Sequence, residues 1–256
     1  MDFSPELPFQ LAAAQGLFLC AALFLAAVVR GLSGFGFSAI FILMAAAVTN
    51  PLPLIPVVFV CEIAMTVFQA RDIRPHVDWR RTPPLLAGAA LALWPAVGFL
   101  AALDPSVARL MISALVLALC LLLLTGWQLE RDLGRRGHFV VGIVAGAANG
   151  AGVGGLPTAG ALAAQAMRPA AFRATMIVFL TGLDLLSLPV MAGHGLVGPD
   201  TAKAALIAFP ILGLGVWVGT VGFARVFAAG GDRNFRRGIL LLLGALACTN
   251  ILRVLL

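Results

Sequence analysis

Apolar residues fill ten stretches of the chain, separated by short polar or glycine-rich connections. A helix needs about 20 residues to cross the hydrocarbon core of a bilayer, and most of the stretches approach that length. Stretches 37–49, 139–150 and 156–167 have only about 12 residues and would reach roughly half-way. The ten cover 9–29, 37–49, 53–70, 84–103, 106–127, 139–150, 156–167, 173–192, 203–226 and 238–256. This pattern predicts an all-helical protein with several membrane spans.

Two glycine clusters interrupt the apolar pattern at its short stretches. Residues 30–38 read Arg-Gly-Leu-Ser-Gly-Phe-Gly-Phe-Ser, and residues 149–158 read Asn-Gly-Ala-Gly-Val-Gly-Gly-Leu-Pro-Thr. Inside a bilayer, backbone leaves the helix only where protein or a water-filled cavity covers its polar groups. Paired breaks in two halves of a chain indicate a substrate site near the membrane midplane. The alternative is that the glycines only permit close helix packing.

The order of the stretches repeats along the chain. A shift of 118 positions places Gly34 on Gly152, Gly36 on Gly154 and Pro51 on Pro169. The predicted fold class is an all-α polytopic membrane protein with two inverted-topology repeats, each a broken or re-entrant helical hairpin plus three transmembrane helices. One membrane domain covers 1–256, with repeat one at about 9–127, a cytoplasmic linker at about 128–138 and repeat two at about 139–256. Whether 9–29 spans the membrane or forms one arm of a re-entrant hairpin stays open.

Basic residues predict the orientation of the chain. Of its 17 Lys and Arg residues, 13 lie in the connections 71–81, 128–138, 168–173 and 225–237. Cytoplasmic loops collect Lys and Arg, so we expect these connections in the cytoplasm and both termini outside it. His138 then falls in a cytoplasmic loop, on the surface. The two halves would cross the membrane in opposite directions.

Composition narrows the function classes. The chain is 61% hydrophobic and 11% charged, whereas soluble domains carry about 25% charged residues. The net charge of +6 follows from loop arginines, so we expect the lipid bilayer and no nucleic acid as partner. The four cysteines have no metal or disulfide spacing, so no metal or cofactor is expected. Motifs of intramembrane enzymes, such as HExxH or a Ser/His pair, are missing from the sequence, so we expect neither an enzyme nor catalytic residues.

The glycine clusters predict an anion site. Stretches 37–49 and 156–167 begin at the clusters, so their helix N-termini, with free N–H groups and a positive dipole end, would face the membrane centre. Such ends favour an anion. We expect Arg30 and both helix ends to surround one anion. The predicted substrate contacts are Arg30, Ser33, Gly34, Phe35, Gly36 and Ser38 in the first cluster and Asn149, Gly150, Gly152, Gly154, Gly155 and Thr158 in the second.

The paired clusters, each followed by a short apolar run and a proline loop, resemble the TauE/SafE sulfite exporter family over essentially the whole chain. Residues 150–157, with 169–175 after them, form the more typical copy, whereas Phe35 and Phe37 stand where glycines are common in the first. The resemblance implies a secondary transporter of the bacterial inner membrane. It implies that the substrate is sulfite or an organosulfonate, usually moved outward. An anion channel lined by the same glycines is the alternative.

Arg30, Glu62 and Asp184 are the ionisable residues considered for function, because a charge inside or at the end of an apolar stretch is costly. Arg30 could pair with a sulfonate through parallel hydrogen bonds, or it could end a spanning helix at the membrane surface. Glu62 and Asp184 lie in the middle of 53–70 and 173–192. They could carry coupling protons, or they could form a structural pair with Arg30 or a backbone group. Proton coupling and a homodimer stay open.

A further glycine pattern, Gly142-xxx-Gly146-xxx-Gly150, indicates close helix packing. Because Gly146 lies about two helical turns from the second cluster, we expect Gly146→Ala to be much milder than Gly34→Val or Gly154→Val.

Overall fold

The computed structural model describes residues 8–125, 132–165, 167–228, 241, 243–245 and 247–252. Every regular element in these ranges is helical. The helices are α1 (Ala13–Ser33), α2 (Phe37–Ala46), α3 (Ile55–Ile73), α4 (Thr82–Ala101), α5 (Pro105–Leu124), α6 (Gly134–Asn149), α7 (Gly155–Ala163), α8 (Pro169–Gly193) and α9 (Pro199–Ala228), followed by a helical stretch at Leu243–Leu252. Short 3₁₀ turns cover Pro8–Gln10, Leu52–Leu54 and Arg74–His76.

Six helical segments of the described chain are long and apolar enough to cross a membrane. They are α1, α4, α5, α8, the segment Leu52–His76 that contains α3, and Pro199–Arg225 within α9. The other numbered helices, α2, α6 and α7, have 10, 16 and 9 residues. Large apolar side chains such as Leu17 and Leu206 are about three-quarters exposed, as lipid-facing positions require. The chain is a multi-pass helical membrane protein, as the apolar pattern predicts.

Helix α6 departs most from its predicted bounds. It begins at Gly134 rather than near 139, because Arg135 and Arg136 are good helix formers that an apolar pattern does not include. The predicted linker at 128–138 is therefore helical from Gly134, while 126–131 lie outside the described residues. The surface position predicted for His138 is wrong, since its side chain is 2% exposed and its Nδ1 lies 2.6 Å from the carbonyl oxygen of Gly134.

The helix packing recurs when the two halves are exchanged. The shift of 118 positions carries α1, α3 and α4 onto α6, α8 and α9. Helix α1 packs along α9, and α4 packs along α6; α3 contacts α9, and α4 contacts α8. When the halves are exchanged, the pair α1–α9 becomes α6–α4, and the pair α3–α9 becomes α8–α4. The central pair α3–α8 is unchanged. The packing supports the predicted repeat, whose inverted direction stays a prediction.

Glycines allow α4 and α6 to touch through their backbones. A Cβ on Gly142 would overlap the carbonyl oxygen of Leu85, and one on Gly146 would overlap that of Ala89. The prediction of close packing is confirmed. The expectation that Gly146→Ala is mild is wrong for the same reason, because the added methyl would have to push two packed backbones apart. Distance from the glycine cluster does not protect a residue that lies in a tight helix interface.

Candidate functional site at the junction of α1, α3 and α8

The first glycine break ends α1 in a left-handed turn. Gly34 and Gly36 have φ values of +82° and +91°, a region that residues with a Cβ rarely adopt. The Gly34 N–H still donates to Arg30 O at 2.8 Å, and the left-handed residue then stops the helix. The Ser33 hydroxyl lies 2.8 Å from Phe35 O and accepts from the Phe35 N–H at 3.3 Å. The break is therefore a defined turn, with Arg30 one helical turn before it.

The aromatic residues of the first cluster are packed into the protein. The Phe35 ring meets that of Phe172 edge to face with centroids 6.0 Å apart. The Phe37 ring stacks against Phe41 at 6.3 Å. Ser38 lies in the first turn of α2 and is also buried. The predicted contacts Phe35 and Ser38 thus belong to the wall around the first break.

Arg173 connects the first break to α8 and α9. The sequence assigns it to a cytoplasmic connection, but it lies inside α8 and is 6% exposed. Its Nε donates to Gly31 O at 3.0 Å, and its Nη2 donates to Thr220 Oγ1 at 3.1 Å. The guanidinium also lies over the ring of Phe223, 4.6 Å from the centroid. A signal was available, since a proline at position 169 favours the first turn of a helix and so places residue 173 within it.

The second break is held by a neutral side chain. Asn149 donates from Nδ2 to Ser187 Oγ at 2.9 Å, and its Oδ1 accepts from the Gly154 N–H at 3.2 Å. Gly152 has a φ of +73°, and the Thr158 hydroxyl lies 3.4 Å from Gly154 O. Because both ends of the Asn149 amide already bond to the protein, this side chain fixes the break to α8.

The two breaks meet α8 at different heights. A Cβ on Gly34 would lie 2.8 Å from Arg173 O, and one on Gly155 would lie 3.2 Å from Leu180. Seven residues of helix separate those positions, which is about 10 Å, and Ser187, bonded to Asn149, lies a further seven residues along. Gly152 meets α2 at Ile42, in the middle of that helix. The sequence predicts that both glycine breaks surround one anion, whereas in the structure they contact α8 at positions about 10 Å apart.

A cluster of buried charges lies between α1, α3 and α8. Arg30 is 0% exposed, Glu62 1% and Asp184 0%. Arg30 Nη1 lies 3.3 Å from Glu62 Oε1, and Asp184 lies beside Glu62 and within electrostatic range of Arg30. The prediction that singled out these three residues therefore identifies one site. Arg30 lies in the last turn of α1, and protein encloses its side chain completely.

Two threonines complete the cluster. Arg30 Nη2 donates to Thr66 Oγ1 at 3.1 Å, and the hydroxyls of Thr66 and Thr181 share a hydrogen bond of 2.6 Å. The shift of 118 positions takes Thr66 to Asp184, but sequence analysis did not predict the contact of Thr66 with Arg30. Its position one turn after Glu62 is the signal that could have found it.

Several charged atoms of the cluster lack a hydrogen bond of ordinary geometry. They are Nε and Nη1 of Arg30, Oε1 of Glu62 and both carboxyl oxygens of Asp184. Buried polar atoms in proteins nearly always have partners, so unpaired ones call for an explanation. Inside a membrane, unpaired charged groups are costly and mark substrate or ion sites. The arrangement can accept an oxyanion at Arg30 and a proton at the carboxyls.

Comparison with known proteins gives one finding. The family model described as "Sulfite exporter TauE/SafE" matches residues 19–249. This range contains both glycine breaks and the buried cluster. Comparison with curated proteins and with solved structures gives no match.

Proposed function

Since the chain belongs to the TauE/SafE sulfite exporter family, we propose that it is a secondary transporter which moves sulfite or an organosulfonate across the bacterial inner membrane. The observation that carries this proposal is Arg30, a fully buried arginine whose Nη1 lies 3.3 Å from Glu62 and whose Nε makes no hydrogen bond. Export is the direction that the family name implies. The predicted cytoplasmic loops, with both termini outside, give the orientation.

The chemistry of Arg30 suits this substrate class. A guanidinium is planar, always charged and weakly hydrated, and it offers several N–H donors to an oxyanion. Sulfite and sulfonate groups each present three oxygens, so one anion can engage several donors of the Arg30 guanidinium at once. Hydrogen bonds between charged groups are the short, strong ones. Thr66 already contacts the guanidinium, and its hydroxyl would lie beside the bound anion.

The burial of the cluster favours a carrier over a channel. A channel needs a route that stays continuous while ions pass. Here the three charged side chains are each no more than 1% exposed, so an anion reaches Arg30 only when helices move. Movement of one helix set against the other around a central site is the usual form of alternating access. The packing of α1 on α9 and of α4 on α6 divides the helices into two such sets.

Reconstituted flux tests the proposal. Purified protein in liposomes should transport labelled sulfite, or an organosulfonate such as sulfoacetate or taurine, with a rate that saturates, and sulfate or thiosulfate more slowly. Arg30→Ala should reduce the flux to the level of empty liposomes, while Arg135→Ala, which removes an exposed arginine, should leave it unchanged. Flux that rises linearly with concentration would indicate the channel. Normal transport by Arg30→Ala would overturn the proposed site.

A further inference from the structure

We propose that the substrate anion and a proton bind to the buried cluster together and cross the membrane in the same direction. This inference rests on the proposed function, because it assumes that the anion binds at Arg30. It adds the sign of the coupling: co-transport of anion and proton rather than exchange of one for the other. The argument is that Glu62 and the anion compete for the guanidinium of Arg30.

Glu62 and an incoming anion need the same partner. In the structure Glu62 Oε1 lies 3.3 Å from Arg30 Nη1, with both side chains buried. An oxyanion that takes those donors must sit beside the Glu62 carboxyl. Two like charges at such a short distance repel strongly in the low-dielectric interior of a protein. A proton on Glu62 removes this repulsion and releases Arg30 for the substrate.

Within the part of the chain that the structure describes, Arg30 is the cation in contact with the two carboxyls. Facing Glu62 are Arg30 from α1 and Asp184 from α8, so two acids share one base. Arg173, also on α8, lies within electrostatic range of Arg30, but it bonds to Gly31 O and Thr220, and the acid within its electrostatic range is Asp72 rather than Glu62 or Asp184. Helix α2 carries no ionisable residue, and the ionisable residues of α9 are Asp200, Lys203 and Arg225, close to its ends. A bound anion would therefore add a negative charge beside two acids that contact one guanidinium, which favours a proton on the pair of carboxyls.

Reciprocity fixes the direction of the coupling. If a proton on a carboxyl strengthens anion binding, then anion binding strengthens proton binding by the same factor. Both ligands then occupy the same loaded state and are carried together. In an exchanger they would compete, as a cation and a proton compete for one carboxylate. Here the anion competes with the carboxylate itself, which reverses the sign.

The inference gives a definite charge for the loaded cluster. A sulfite dianion with one proton carries one net negative charge across the membrane. A membrane potential that is negative inside drives that charge outward. A sulfonate monoanion with one proton crosses without net charge. Export of sulfite can therefore be driven by the potential even though the proton moves with it.

The test uses an alkyl sulfonate, such as methanesulfonate, that stays ionised from mildly acidic to mildly alkaline pH. Its affinity for wild-type protein in detergent should increase on acidification, approaching tenfold per pH unit. In liposomes that contain a pH-sensitive dye, an inward sulfonate gradient should acidify the interior. Glu62→Gln, or Glu62→Gln with Asp184→Asn if both acids share the proton, should bind the sulfonate equally at all pH values and should no longer move protons. The exposed Asp104 gives a matched control, since Asp104→Asn should keep the pH dependence.

The outcomes separate this inference from the proposed function. Affinity that is constant or falls on acidification in the wild type, or protons that move against the sulfonate, would overturn co-transport while leaving an anion site that depends on Arg30. Methanesulfonate binding that is absent at every pH, or unaffected by Arg30→Ala, would overturn the proposed site and the coupling with it. Proton movement with the sulfonate that persists in the double variant would assign the proton to another group and overturn the role of this cluster.

Discussion

The two glycine breaks have the same backbone frame but different chemistry. Gly34 and Gly152, 118 positions apart, both adopt positive φ and both precede a short helix. Charged side chains surround the first break, with Arg30 one turn before it and Arg173 against Gly34. A neutral amide, Asn149, holds the second break through Ser187.

The difference indicates that the repeat supplies the scaffold while single residues supply recognition. The shift of 118 positions takes Arg30 to Ala148 and Arg173 to Ile55, so neither cation is repeated. The second half contributes Asp184 and Thr181 to the cluster instead. One charged site is thus assembled across the central pair α3–α8. If the two halves are inverted repeats that move against each other, we expect a site between α3 and α8 to open to either side of the membrane.

Alanine substitution of Gly34 and of Gly152, which both have positive φ, should destabilise the protein to different extents. A left-handed residue with a Cβ costs about 1 kcal/mol at either site. At Gly34 the Cβ would also lie 2.8 Å from Arg173 O, whereas at Gly152 the nearest atoms are side-chain carbons of Ile42 and Ile55 at 3.5 Å. Thermal unfolding in detergent should show a loss of about 3 kcal/mol for Gly34→Ala and about 1 kcal/mol for Gly152→Ala.

Gly198→Ala is the control for these two substitutions, because open space surrounds Gly198, and it should leave the unfolding temperature unchanged. Equal losses for Gly34→Ala and Gly152→Ala would show that the first break is no more tightly enclosed than the second.

Asn149→Ala should weaken the fold and spare substrate binding. The change leaves the Gly154 N–H without its acceptor and Ser187 without its donor, which costs about 1–3 kcal/mol of stability. Ser187→Ala, which removes only one of these bonds, should cost less. Sulfonate affinity, measured by calorimetry, should change by less than about threefold, or about 0.6 kcal/mol. Loss of affinity without loss of stability would place the anion at the second break.

Arg30→Lys should weaken binding and keep transport. Lysine retains the charge but loses the planar set of donors, so sulfonate affinity should fall roughly tenfold, or about 1.4 kcal/mol. Saturable flux in liposomes should persist at a higher half-saturating concentration. Unchanged affinity would mean that Arg30 acts as a point charge alone, and the expected selectivity for oxyanions would lose its basis.

Cysteine labelling tests whether the two halves cross the membrane in opposite directions. The substitutions are at exposed positions, so we expect no loss of folding stability. Single cysteines at the exposed positions Arg74, Arg135 and Gly198 would be introduced into a chain that lacks the more accessible native thiols Cys20 and Cys248. An impermeant reagent should reach the first two only from the cytoplasm and the third only from outside. Labelling of positions 74 and 198 from the same side would contradict the inverted repeat.

The sequence predicts local features of this fold well. Apolar stretches give the helices to within a few residues, and the positive φ of Gly34 and Gly152 agrees with their place in the clusters. Glu62 and Asp184 stand out because carboxyls are rare in apolar helices. Each of these features is encoded by neighbouring residues. The correspondence of the halves is also readable, since it needs only a fixed shift along the chain.

Contacts between helices could not be read in the same way. The height at which each break meets α8 depends on how the helices pack, so the sequence could not give the stagger between Gly34 and Gly155. The burial of Arg173 and His138 has the same origin, since basic residues near helix ends resemble loop residues in a linear pattern. Gly146 appeared tolerant because its neighbour in space, Ala89, is far away in sequence.

The most direct test of the central claim is the equilibrium affinity of an alkyl sulfonate for Arg30→Ala, measured beside wild type and Asn149→Ala by calorimetry. Removing Arg30 from an enclosed site should weaken binding by about 30-fold or more, corresponding to about 2–5 kcal/mol, while Asn149→Ala binds nearly as wild type. Arg30→Ala with Glu62→Gln avoids an unpaired buried acid and should show the same loss if Arg30→Ala alone misfolds. Wild-type affinity in a cooperatively folded variant without Arg30 would contradict the account.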